Sequence, residues 1–138
     1  MAAFNKFESF VGQVGLEGHQ LNTDTLKVYL TNNAPSTSAD NVKADCAEIA
    51  SSGSGYTAGG EDSTNEYAEA SGTGTMTATD IVWTASGGTI GPFRYAVMYN
   101  GTADSDPLVG WWDYGSSITL QDGETFTVDF GASVLTLA

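Results

Sequence analysis

The chain has 138 residues and is 41% apolar, enough for one domain with a core of its own and too apolar for a disordered segment. Four Lys and Arg stand against 17 Asp and Glu, a net charge of −13, which excludes nucleic-acid binding by phosphate neutralisation and disfavours an anionic membrane. Its 17 glycines, with few charges, describe short strands joined by turns.

The only cysteine is Cys46, so no intrachain disulfide forms, and the only histidine, His19, is not placed near it by the sequence. The thiol therefore reads as buried and structural. No apolar run approaches the ~20 residues of a membrane helix. Met1 to Asn5 lacks a basic start followed by an apolar stretch, so synthesis and folding in the cytoplasm are expected, or release from a larger chain.

Residues 1–18 read as an N-terminal helix or arm. Phe4, Phe7, Phe10, Val11 and Val14 recur at steps of three and four, an apolar stripe at helical spacing that Gly15 or Gly18 ends. The stripe packs on the domain's own sheet or docks onto another chain. Leu26–Thr31 reads as the first strand, stopped at Pro35. Residues 36–45 read as an exposed loop, and 45–50 as a short strand or one helical turn around Cys46. Residues 51–55 and 59–60 read as flexible connectors flanking Tyr56, and 61–69, with its acids, reads as a solvated edge or loop. Strands follow at 73–79, 80–85 and 93–99, the last closed by Asn100-Gly101. Another runs from Leu108 to Tyr114, with a turn at Gly115 and a further strand at 117–120. Phe126, Val128 and Phe130 share one face of the next strand, and 132–137 forms the last. The count is about eight antiparallel strands in a single domain over 1–138, an all-β sandwich with jelly-roll topology.

The candidate chemistry is thin. Asp104-Ser105-Asp106 and the acids Glu61, Asp62, Glu66 and Glu69 offer oxygen ligands for calcium, but neither group has EF-hand spacing, and no metal is expected. Asp113 beside Trp111 and Trp112 suggests a glycosidase carboxylate. Adjacent strand residues face opposite sides, however, so at most one Trp serves a sugar platform there. The run 53–60 lacks the Gly-Lys-Ser/Thr end of a phosphate loop, and Asn100-Gly101-Thr102 reads as a turn. Arg94, alone in an apolar strand, is a paired structural arginine or an interface anchor. No catalytic residue and no cofactor are expected.

Several blocks resemble a family of small tailed-bacteriophage proteins. They are Asp24-Thr25-Leu26-Lys27-Val28-Tyr29-Leu30-Thr31-Asn32 with Ala34-Pro35, Gly55-Tyr56-Thr57-Ala58-Gly59-Gly60, Gly91-Pro92-Phe93-Arg94-Tyr95-Ala96-Val97 and Pro107-Leu108-Val109-Gly110-Trp111-Trp112-Asp113-Tyr114-Gly115. The resemblance implies a virion structural protein. Size, acidity and fold class then point to a capsid decoration or cement protein, made in the host cytoplasm and carried on the capsid surface. It would contact the major capsid protein as a homo-oligomer, a dimer or trimer. The expected contact residues are Phe4, Phe7, Phe10, Arg94 and Trp112, with the loops 36–45 and 53–69. The alternatives are a tail or fibre component and a carbohydrate-binding sandwich module.

Overall fold

The computed structural model describes residues 3–16, 18–50 and 53–138. The elements, in chain order, are β1 (Asn5–Lys6), α1 (Glu8–Gly15), β2 (Leu26–Thr31), β3 (Glu61–Asp62), β4 (Glu66–Ala70), β5 (Thr73–Thr77), β6 (Ile81–Thr84), β7 (Ile90–Asn100), β8 (Leu108–Leu120), β9 (Thr125–Val128) and β10 (Leu135–Leu137). One sheet has the order β1-β8-β7-β2-β3, a second β10-β5-β4 and a third β6-β9. Every pairing is antiparallel. The chain is all-β, as its composition and turn spacing lead one to expect.

The five-stranded sheet is covered on both faces, because its central strands alternate two kinds of apolar residue. Leu26, Val28 and Leu30 of β2, with Ala96 and Met98 of β7, join Met76, Ile81, Trp83, Val128 and Phe130 in the main core. The two smaller sheets thus stack on this face in the manner of a sandwich. Tyr29, Val97, Tyr99 and Leu108 point the other way and pack with Phe7 and Cys46 in a second core. Strands buried on both faces read as continuous apolar runs, which is how 28–30 and 95–99 look in the sequence.

A bulge in β8 makes this two-sided packing possible. Tyr99 pairs with Leu108 and Met98 with Gly110, so Val109 is an extra residue between them. The shift sets Leu108 and Trp111 against the second core while Val109 and Trp112 enter the main one. Gly110 leaves room for the Phe4 ring, which a Cβ there would strike.

The N-terminal arm differs from the single helical stripe its spacing suggests. Phe4 precedes β1 and Phe7 precedes α1, so neither lies in the helix. The arm crosses the open edge of β8: Phe4 packs on Trp112, Phe7 enters the second core, and Phe10 returns to the main core beside His19. Three rings at steps of three serve two faces of one sheet.

Three further expectations are corrected. The turn at Gly115 is a bulge, since β8 runs unbroken to Leu120 and pairing with β7 jumps from Tyr95↔Asp113 to Phe93↔Ile118. The acidic run 61–69 is the solvated edge expected of it, since it holds β3 and most of β4, both largely exposed and both at the edge of their sheets. The strands among the described residues therefore number ten, more than the expected eight. The short turn near Cys46 is a 3-10 turn at Lys43–Asp45.

Gly60 sits at φ +75 with its α-carbon pressed to the Val28 carbonyl, where an added methyl has no room. Both the left-handed backbone and the close approach require glycine. Gly60→Ala is expected to lower stability by about 2 kcal/mol or more, read as a shifted urea midpoint with an unchanged slope. An unshifted midpoint would contradict this packing.

Candidate functional site

Two constellations stand out, one closing an edge of the large sheet and one leaving an edge open. The first lies over the second core. β3 pairs with β2 only at Lys27 and Val28, so the β2 edge beyond is unpaired by strand. The Tyr56 hydroxyl accepts from Leu30 N at 3.1 Å, and Ile49 N donates to Leu30 O at 3.0 Å, which finishes the edge. Tyr56 in turn donates to Glu48 Oε2 at 2.6 Å, and the same oxygen accepts Gly59 N at 2.6 Å. Lys43 Nζ bonds Glu48 Oε1 at 2.8 Å and lies over the Tyr29 and Tyr99 rings at 4.9 and 5.6 Å.

Charge states follow from these contacts. Burial raises the Glu48 carboxyl, but the bonds from Lys43, Tyr56 and Gly59 outweigh it and hold the group below the usual carboxylate range. Burial, then the Glu48 carboxylate, pushes the Tyr56 phenol up, and burial does the same for Tyr29. Tyr99 rises to about 12 through burial and then the charges of Asp106 and Glu48. Burial and then Asp40 push the Cys46 thiol up to about 12, and its Sγ donates to Asp40 Oδ2 at 3.1 Å. A thiol so raised is a poor nucleophile at neutral pH. The arrangement therefore staples a loop to a sheet.

His19 shares none of these contacts and belongs to a separate cluster with Phe10 and Asn100. Asn100 Oδ1 accepts from Thr102 N and Ala103 N, which fixes its amide, so Nδ2 donates to Asp24 Oδ2 at 2.6 Å and meets His19 Nδ1 at 3.1 Å. Nδ1 is thus the acceptor, and the ring proton sits on Nε2, which is buried with no hydrogen-bond partner among the described residues. Burial lowers the His19 pKa, with Asp24 opposing.

The second constellation is a slot of about 370 Å3 between β8 and β9, with Ala96, Trp112 and Asp113 on one side, Tyr114 beside them, and Phe126 to Asp129 opposite. β1 pairs with β8 only at Gly110 and Trp111, so β8 has no strand neighbour here on that side. β9 pairs with β6 alone. Its hydrogen-bonding phase is fixed just past the Thr84–Thr125 pair. Gly123, at φ +89, donates to Ala85 O, and Ala85 N donates to Glu124 O, so two residues oppose one in a glycine bulge. Alternation from that pair turns Phe126 and Val128 toward β6 and the backbone of Thr125 and Thr127 away from it. The free edge of β9 faces the slot. A more polar groove of about 500 Å3 lies beside α1, between Ser9, Gln13, Val42 and Asp104.

Of the expected contact residues, Phe7 and Phe10 are buried within the chain, and Trp112 is only 7% exposed, packed on Phe4 and Phe130. They fill the cores and present no contact surface, because the arm satisfies its rings on its own sheet. Phe4 is partly buried on Trp112. Arg94 makes a two-point ion pair with Asp113, at 2.8 and 3.1 Å, and lies over the Tyr95 ring. Asp113 is held low by Arg94 and by Gly115 N, and so occupied it does not read as a glycosidase acid. The loop 36–45 is held by Asp side chains: Asp40 accepts Ser36 N and Asp45 accepts Asn41 N and Val42 N. Glu61, Asp62, Glu66 and Glu69 lie exposed on β3 and β4. Among the described residues no group of three or more His, Cys, Asp or Glu is placed to hold a metal ion, and no helix is long and apolar enough to cross a membrane.

Tyr114, Lys43 and Glu48 are the residues to which sequence reasoning gave no role, and Phe126 was read only by its face of the strand. Tyr114 follows Trp112 at a period of two, a signal masked by Gly115. No protein-family model matches the chain, and neither a curated protein nor a solved structure matches it.

The His19 site predicts a pH dependence. A histidine with a lowered folded pKa contributes stability in full above its unfolded value of 6.5 and loses it as pH falls from there toward the folded value. Glu48, Asp45 and Asp113 lose theirs only below their ordinary values of 4.5 and 3.8. Melting temperature is expected to drop between about pH 7 and 5. His19→Asn, which keeps an acceptor toward Asn100, is expected to flatten that interval. An unchanged slope in the variant would assign the dependence to another group.

Proposed function

We propose that the chain is a tailed-phage virion structural protein that decorates the head, bridging copies of the major capsid protein as a dimer or trimer on the capsid surface. The observation that carries the reading is the outer side of α1. Phe10 anchors the helix in the core, with Phe7 seated just before it, while Val11 and Leu16 stand out at 56% and 78% exposed. A rigid helix presenting apolar residues outward suits burial against a neighbour. A protein that binds only the assembled shell adds free energy to the assembly and none to its parts.

The side-chain chemistry supports the same direction. The thiol of Cys46 and the ring of His19 are both engaged in structural contacts, and Asp113 is tied to Arg94. The blocks that resemble phage proteins map onto β2, the strap around Tyr56, β7 and β8, which are the parts that build the sheet. The reading as a tail or fibre component, or as a sugar-binding module, draws on the aromatic slot. Of its aromatic residues Tyr114 alone is substantially exposed, a small platform for a sugar ring.

The test uses parent-phage heads assembled without this chain, to which purified protein is added back. The wild-type chain is expected to saturate the outer shell. Val11→Asp with Leu16→Asp is expected to lower affinity about tenfold or more, with near-ultraviolet dichroism unchanged because both positions are exposed. Failure of the wild type to bind heads, or binding by the variant as tight as wild type, would overturn the reading or its contact surface respectively.

A further inference from the structure

We infer that the β8–β9 slot is a strand-addition site, which takes an extended segment of a partner protein whose apolar residues alternate with Lys or Arg. Three features define the occupant. The first is backbone. Thr125 and Thr127 turn their N–H and C=O groups away from β6, and none of these is bonded to another backbone or side chain among the described residues. An unpaired ladder of this kind is satisfied by one more strand. Natural open edges are blunted by Lys, Pro or an inward charge, and β9, Thr-Phe-Thr-Val, carries none of these.

The second is side-chain space. The slot has a volume of about 370 Å3 and reaches Ala96 and Trp112, both buried residues of the main core. Phe126 and Tyr114 meet edge-on at 5.6 Å at its side. A strand laid along β9 would send every second side chain toward that aromatic lining, and the intervening ones toward solvent. Apolar residues fit the first set.

The third is charge. Asp113 and Asp129 line the slot and no basic side chain does; Asp113 is already paired with Arg94, so the free charge is that of Asp129. Among the described residues Asp129 has no cation partner, its Oδ1 accepting only Gly131 N at 2.8 Å. The whole chain carries −13. Basic residues at the outward positions of the added strand complement this surface and speed its capture. The inference stands apart from the decoration reading, since it names a class of segment and not the particle that supplies it.

The experiment titrates the isotope-labelled full chain with a short capped peptide alternating lysine and valine, following backbone amide and Trp indole resonances. Expected are shifts at Thr125, Thr127 and Asp129 and at the Trp112 indole. A peptide of identical charge, N-methylated at alternate residues so that it cannot complete the ladder, is expected to bind about tenfold more weakly or worse. Thr127→Pro, which removes an outward donor on a free edge, is expected to lose affinity likewise. Replacing lysine by glutamate in the peptide is expected to abolish binding. Equal binding of the parent and N-methylated peptides would reduce the effect to bulk charge and overturn the proposal. So would shifts scattered over the surface, the absence of binding, or an oligosaccharide shifting these amides where the peptide does not. The peptide variants leave the protein intact, so the proposal stands or falls on them whether or not Thr127→Pro folds.

Discussion

The structure depends on burying both faces of the sheet built by β2, β7 and β8. A strand with one wet face needs only one covering layer, but Leu26, Val28 and Leu30 alternate with Tyr29, so β2 must be covered twice. The smaller sheets cover one face. The other is closed by what is left: Phe7 and Cys46. The bulge at Val109 follows from the same constraint, since without the extra residue Trp111 and Trp112 would exchange faces. The apolar area so removed from water, at roughly 25 cal/mol per Å2, supplies the main stabilising term.

Covering two faces leaves edges, and the molecule treats them differently. The β8 edge receives the N-terminal arm at Gly110 and Trp111 and is open beyond. The β2 edge is finished by a phenol and a loop amide, with the Glu48 carboxylate fixing the phenol and Lys43 neutralising the carboxylate. That network is costly to break, because removing one partner leaves a half-buried charge or donor unmatched. At β9 nothing comparable is spent, and the backbone of a Thr-rich strand borders an aromatic slot. The contrast between a closed edge and an open one locates where another chain can attach.

Much of this was legible in the sequence, for local reasons. The period of two in 125–130 put Phe126, Val128 and Phe130 on one side, and burial follows that alternation at Thr125, Thr127 and Asp129. The opposite facing of Trp111 and Trp112 was also readable. What was not legible depends on distant pairing. Three phenylalanines at steps of three satisfy a helix and equally an arm wrapped round an edge, and only the position of β8 decides between them. Gly115 looks like a turn from its neighbours, yet β7 continues past it and holds β8 extended. Lys43, Glu48 and Tyr56 meet only because the loop folds back onto β2, and no spacing announces it.

Native-state hydrogen exchange measures both edges at once. The Leu30 amide, capped by the Tyr56 hydroxyl, is predicted to exchange as slowly as the interior amides of β7. The Thr127 amide, turned to the slot, is predicted to exchange orders of magnitude faster, with Phe126 and Val128 slow on either side of it. A fast Leu30 together with a protected Thr127 would contradict the account, since the closed edge would then be open and the open edge already paired.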